Sequence, residues 1–308
     1  MRRNVRVRYL VSLALWGAVA YFFLRVLNRV DWRIVTSHRV HFASAIAVLA
    51  IGVGSRFLLP LIWTLALSAL EEKPMQVRML IWPYAVSWIS RYVPGQIGLI
   101  GARILAAEQY GYSKLNAIIS GGLEVVLQLI LVTALGVSFL SVGLDFRLPF
   151  NALPIVIAVG GLALLLSPPM LRRIVNAYLR WQKKSEGPAP SFSLGTVLVC
   201  AALFLVMYGL QSSYSILLAD TIGMSVHGRW PLFLGAIFFS SVAGTVAFFA
   251  PSGIGVRELV FVQLLGPWYA KEQLLVFVIF WRLAETLMDA IFFAIAWCLR
   301  PERAPRQV

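Results

Sequence analysis

The sequence predicts an all-α, polytopic membrane bundle of about six to eight helices, two of its segments broken or re-entrant. Three observations predict it. Of the 308 residues, 60% are hydrophobic and only 13% charged, with a mean hydropathy of +0.81. That is too little charge to solvate the surface of a water-soluble domain. The apolar residues fall in runs long enough to cross a hydrocarbon core of about 30 Å. Two of those runs are interrupted by Pro and Gly, which break helices and free backbone groups that lipid cannot satisfy.

The first run, residues 9–27, follows four arginines and passes straight through the cleavage-like triplet Ala18–Ala20. It is read as an uncleaved anchor rather than a removed signal peptide. A second run covers 42–70, with Arg56 near its middle as the partner of an acid or a span-edge residue. The next, 79–104, holds Pro83, Pro94, Gly95, Gly98 and Gly101 together with Arg91 and Arg103. It is read as a re-entrant hairpin or a discontinuous helix, tolerable only where protein or a wet cavity lines it. Further spans are expected at 115–140, with Glu124 inside, and at 153–166, ended by Pro168 and Pro169. A basic interfacial helix is expected at 171–182.

Residues 183–190 form the one linker-like stretch. They divide a single transmembrane domain, 1–308, into pseudo-halves 1–182 and 191–308. A span at 194–218 follows, then a second broken segment, 231–266, with Gly244, Pro251, Gly253 and Gly255. The last span, 274–299, carries Arg282, Glu285 and Asp289. Basic clusters at the N-terminus, at 172–184 and in the C-terminal tail place all three on the cytoplasmic side of a cytoplasmic (inner) membrane.

The net charge of +14 belongs to these interfacial clusters and to anionic lipid, so no nucleic acid is expected as a partner. Two cysteines and three histidines make no metal or redox pattern, and no cofactor or metal is expected. No nucleotide-binding motif is present either.

The two broken segments are alike. Arg91-Tyr-Val-Pro94-Gly95-Gln-Ile-Gly98 precedes Arg103 and then Glu124; Pro251-Ser-Gly253-Ile-Gly255-Val-Arg257-Glu258 precedes Glu285. If the two enter from opposite sides, they form an inverted-topology repeat, the arrangement by which many transporters build a midplane site.

Ionisable groups at bilayer depth are expensive and mark function by default. Arg282, Glu285 and Asp289, at i, i+3 and i+7, share one helix face, and Ser120, Glu124 and Gln128 share another. The charged groups lock helices together through pairs such as Arg282–Glu285 or Arg103–Glu124, or they line a groove for a polar headgroup. Arg91, Arg103 and Arg257 flank the breaks, where free N–H groups and a bidentate guanidinium suit phosphate, or they snorkel at span ends. Trp63, Trp82, Trp88, Trp268 and Trp281 are read as belt anchors or packing.

These motifs resemble the lysylphosphatidylglycerol synthase transmembrane-region family. The Arg91–Gly98 stretch with Arg103 and Gly111-Tyr-Ser is similar to its first hallmark, Glu124 to the acid of its next helix, and Ala250–Glu258 to its second hallmark. The resemblance covers about residues 5–300. It implies a flippase-like module for lipid or polyprenyl-linked glycan intermediates, here without the family's aminoacyl-transferase domain, so lysyl transfer is not expected of this chain.

The expectation is therefore a non-enzymatic translocation of an anionic phospholipid or polyprenyl-phosphate sugar. Arg91, Pro94, Gly95, Arg103, Pro251, Gly253, Gly255 and Arg257 would build the binding site. Glu124, Glu258, Arg282, Glu285 and Asp289 would balance charge or couple protons. The alternatives are an accessory or scaffold subunit acting with envelope-biosynthesis proteins, and an intramembrane transferase using Glu258 or Glu285 as base.

Overall fold

A computed structural model describes residues 42–92, 97–144, 160, 161, 176, 192–247 and 250–300. The described elements are all helical: α1 (Phe42–Glu71), α2 (Val77–Ile89), α3 (Ile97–Gln109), α4 (Lys114–Gly143), α5 (Leu194–Thr221), α6 (Trp230–Val246), α7 (Val256–Leu265) and α8 (Lys271–Cys298). Short 3-10 turns lie at Ser90–Tyr92, His227–Arg229 and Pro251–Gly253. The expected first anchor, the span at 153–166, the interfacial helix and the 183–190 linker lie outside the described residues.

By length and composition, α1, α4, α5 and the stretch His227–Val246 are apolar enough to cross a membrane. Helix α8 is 28 residues long and carries Arg282, Glu285 and Asp289 within its length. The second run extends unbroken from Phe42 to Glu71 with Pro60 inside it. The two expected breaks are both present, α2 and α3 flanking the first, α6 and α7 the second.

The helices form two units of one pattern: long, short, short, long. The lengths are 30, 13, 13 and 30 residues in the first unit and 28, 17, 10 and 28 in the second. The units run in opposite senses. Cys200 near the start of α5 lies at the Ile62 carbonyl near the end of α1. Ala45 and Val48 at the start of α1 share a groove with Leu218 and Thr221 at the end of α5. The closing helices are opposed too. Helix α4 runs against α1, since the Glu71 carboxylate accepts from the Ser113 N–H at 2.7 Å. Helix α8 runs with α1, pairing Arg56 with Asp289 and Phe57 with Phe292. The inverted repeat expected from the motifs is thus the architecture of the described chain.

Equivalent contacts recur. Helix α6 lies antiparallel on α4, and α2 antiparallel on α8 through Trp82–Trp297 and Trp88–Asp289. Small residues set the α4–α6 approach: a Cβ on Gly235 would stand 2.7 Å from the Leu140 backbone nitrogen, and one on Gly143 would collide with the Leu232 backbone. Lipid tails are as apolar as leucine, so such close backbone packing is what holds spans together.

The second break is closed by glycine. Gly253 has φ +67, and a Cβ there would meet Gly244 Cα at 2.7 Å. Gly244 in turn leaves room for the Arg257 side chain, whose Cγ lies where a Cβ would intrude. The 3-10 turn at 90–92 packs against the one at 251–253, so the two breaks meet inside the bundle.

Gly235→Val should lower stability by about 1–3 kcal/mol through overpacking against α4. Gly209→Ala, with no atom within 4 Å of the added Cβ, should not. Thermal unfolding of the two variants in detergent reads the difference.

Candidate functional site

Two charged assemblies lie in the interior. The larger gathers where the breaks meet. Asp289 on α8 is its hub: Oδ1 accepts from Arg56 Nε at 2.9 Å and Trp88 Nε1 at 3.1 Å, and Oδ2 from Arg91 Nη2 at 2.5 Å and the Tyr92 hydroxyl at 2.7 Å. One carboxylate thereby fastens α1, the end of α2 and the first 3-10 turn onto α8. Arg91 also stacks on Trp88, its Cζ 4.2 Å from the ring centroid.

One turn earlier on α8, Glu285 receives Arg282 Nη1 at 3.4 Å, Arg257 Nη1 at 3.5 Å and Arg56 Nη2 at 4.0 Å. Arg282 Nε pairs with Glu258, and its Nη2 reaches the Ser252 carbonyl at 3.5 Å, tying α8 to the second break. Glu258 bends back to accept the Gly255 N–H at 2.5 Å, capping α7 where Gly255 has φ +89. Arg257 Nη2 donates to Ser241 Oγ on α6 at 2.6 Å.

Among the described residues the cluster therefore contains four guanidinium groups, Arg56, Arg91, Arg257 and Arg282, and three carboxylates, Glu258, Glu285 and Asp289. With the acids ionised, one positive charge is left over. The Nε–H of Arg91 and that of Arg257 are buried without an acceptor among the described residues. Buried donors normally have partners, so these two mark an unfilled requirement.

The smaller assembly is closed. Arg103 on α3 donates from Nε to Ser87 Oγ at 2.9 Å and from Nη1 to Glu124 Oε2 at 2.6 Å. The Tyr84 hydroxyl donates to the other Glu124 oxygen at 2.6 Å. Arg103 lies over Tyr84 at 4.0 Å and near Trp63 at 5.6 Å, and is 5% exposed. Of the two readings of Arg103 and Glu124, this state displays the helix-locking pair, apart from the larger cluster.

The sequence expectations are thus placed unevenly. Arg91, Arg257, Glu258, Arg282, Glu285 and Asp289 come together; Arg103 and Glu124 pair separately. Gly253 and Gly255 shape the second break beside Pro251, and Pro94 and Gly95 fall outside the described residues. Arg56 proves to be an acid's partner. Sequence reasoning does not place Tyr84, Ser87, Trp88, Tyr92 or Ser241 in the site. Only the proximity of Trp88 and Tyr92 to Arg91 in sequence signals them. Trp63 and Trp281 are fully buried beside arginines, which makes them packing rather than belt residues. Among the described residues, no three His, Cys, Asp or Glu side chains gather to hold a metal.

Because removing one partner leaves a charge stranded in a dry interior, Arg103→Gln and Glu124→Gln should each cost about 3–5 kcal/mol. The double substitution should cost clearly less than their sum, and a double-mutant cycle on unfolding in detergent measures it.

Comparison with known sequences adds one match: the family described as Lysylphosphatidylglycerol synthase TM region covers residues 5–292. No curated protein matches the chain.

Proposed function

Since the chain belongs to the lysylphosphatidylglycerol synthase transmembrane-region family, and is a membrane protein on that ground and on its apolar helices, we propose that it translocates a phosphate-bearing lipid between leaflets of the cytoplasmic membrane. The observation that carries this reading is the surplus positive charge at the meeting point of the two breaks. A buried cluster that counts, among the described residues, four arginines and three acids, with two guanidinium N–H groups lacking acceptors there, would be completed by an anion. Arginine suits phosphate because its planar fork donates two parallel hydrogen bonds.

In this reading Arg91 and Arg257 take the headgroup, one from each inverted unit. Glu285 and Asp289 hold the guanidinium groups in place until it arrives. Gly253 and Gly255 let the backbone turn close to it. The substrate class is an anionic phospholipid or a polyprenyl-phosphate sugar; both present the same phosphate. No bond in the lipid is made or broken, so the activity is transport rather than catalysis.

Native mass spectrometry of the detergent-purified protein tests the reading, wild type beside Arg257→Ala. A discrete anionic lipid or polyprenyl-phosphate species on the wild type, lost from the folded variant, is the expected outcome, and its mass names the source of the phosphate. Equal bulk lipid on both, with a protein partner retained stoichiometrically, would replace transport by an accessory role in envelope assembly.

A further inference from the structure

The two inverted units carry the same three-residue device in different states. In the first, Ser87 on α2 receives Arg103 from α3, and Arg103 binds Glu124 on α4. In the second, Ser241 on α6 receives Arg257 from α7, and Arg257 faces Glu285 on α8. The serine and the arginine are 16 residues apart in both. Each arginine has a fully buried tryptophan 5.6 Å away, Trp63 in one unit and Trp281 in the other. The indole N–H of both tryptophans lacks an acceptor among the described residues. An indole nitrogen only donates, so each copy retains a donor that an anion would satisfy.

Closure is what differs. The first copy is shut: the Arg–Glu distance is 2.6 Å, and Tyr84 clamps the second carboxylate oxygen. The second is loose, with an Arg–Glu distance of 3.5 Å and Arg257 Nε without a partner among the described residues. Glu285 is moreover divided among three arginines. In a protein built from inverted repeats, exchanging the conformations of the two halves gives the state that faces the opposite side.

We propose that Ser87, Arg103 and Glu124 are the second phosphate-binding site of this protein, closed in the present state, which opens as the Ser241–Arg257–Glu285 site closes. The inference rests on the transport reading above. A lipid phosphate held by Arg257 on one side would pass to Arg103 on the other. The Arg103–Glu124 pair is then a substitute for the substrate, occupying the guanidinium while its site is empty. The site accepts the same class of ligand, a phosphate on a lipid headgroup.

Paired spin labels follow both copies. Leu105 on α3 and Val126 on α4 report the first, and Leu259 on α7 and Leu287 on α8 the second; all four are exposed, at 62%, 40%, 60% and 48%. The labels go into protein whose Cys200 and Cys298 have been replaced by serine, reconstituted in phosphatidylcholine nanodiscs. Glu124→Gln should raise the open-to-closed ratio of the first pair about tenfold, the equivalent of about 1.4 kcal/mol, and lower that of the second pair by a similar factor. Should that variant fail to fold, replacing phosphatidylcholine with phosphatidylglycerol around the wild type supplies the comparison, and the two pairs should again move in opposite directions. Movement of one pair without the other, or of both in the same direction, overturns the exchange. Lipid retention by the wild type together with its loss in Arg257→Ala would still stand in that case, so the two readings fail separately.

Discussion

Everything in this bundle depends on keeping charge and broken backbone out of contact with lipid. An unpaired ion or peptide group at bilayer depth costs several kcal/mol, and the sequence puts both in the same place. The Asp289 carboxylate resolves the conflict. It receives four donors, from Arg56, Arg91, Trp88 and Tyr92, and draws the first break and α1 against α8. Glu258 and Arg282 do the same for the second break, one capping α7 and the other reaching the Ser252 carbonyl. The interior charges are therefore the material that closes the fold as well as the material of the site.

That dual use explains why the pairing is incomplete. A cluster built only for stability would match its charges and fill its donors, because half-satisfied polar networks are worse than apolar packing. Here, among the described residues, a surplus arginine and two bare Nε–H groups remain at the junction of the units. The Arg103 assembly shows that this chain can pair a buried arginine closely while its site holds no ligand, with serine, glutamate and an aromatic face all in place. The contrast between the two assemblies is a contrast between a filled and an unfilled version of one design.

Much of this is legible in the amino-acid sequence. Gly253, Gly255 and the two prolines mark the breaks, since few other residues interrupt an apolar run. The i, i+3, i+7 spacing of Arg282, Glu285 and Asp289 sets them on one face, and all three are buried. What escapes is whatever depends on partners far away in sequence. Arg56 has no visible acid because Asp289 is 233 residues distant. Ser87 and Ser241 look like ordinary span serines, and Trp88 like a belt residue. The motifs also suggest pairing Pro94 with Pro251, whereas the Ser–Arg contacts align the units three residues out of that register. Proline reports where a helix stops; only the side-chain contacts report what the helix face does.

The central claim is that an anionic headgroup crosses between the two units through the arginine cluster. Its most direct test is leaflet exchange in proteoliposomes, with headgroup-labelled phosphatidylglycerol and phosphatidylcholine followed by an impermeant quencher. The account predicts that the wild type speeds exchange of the anionic lipid over the zwitterionic one, and that Arg91→Gln removes the difference while the protein stays folded. Exchange no faster than in empty vesicles, or equal for both lipids and indifferent to Arg91, would contradict it.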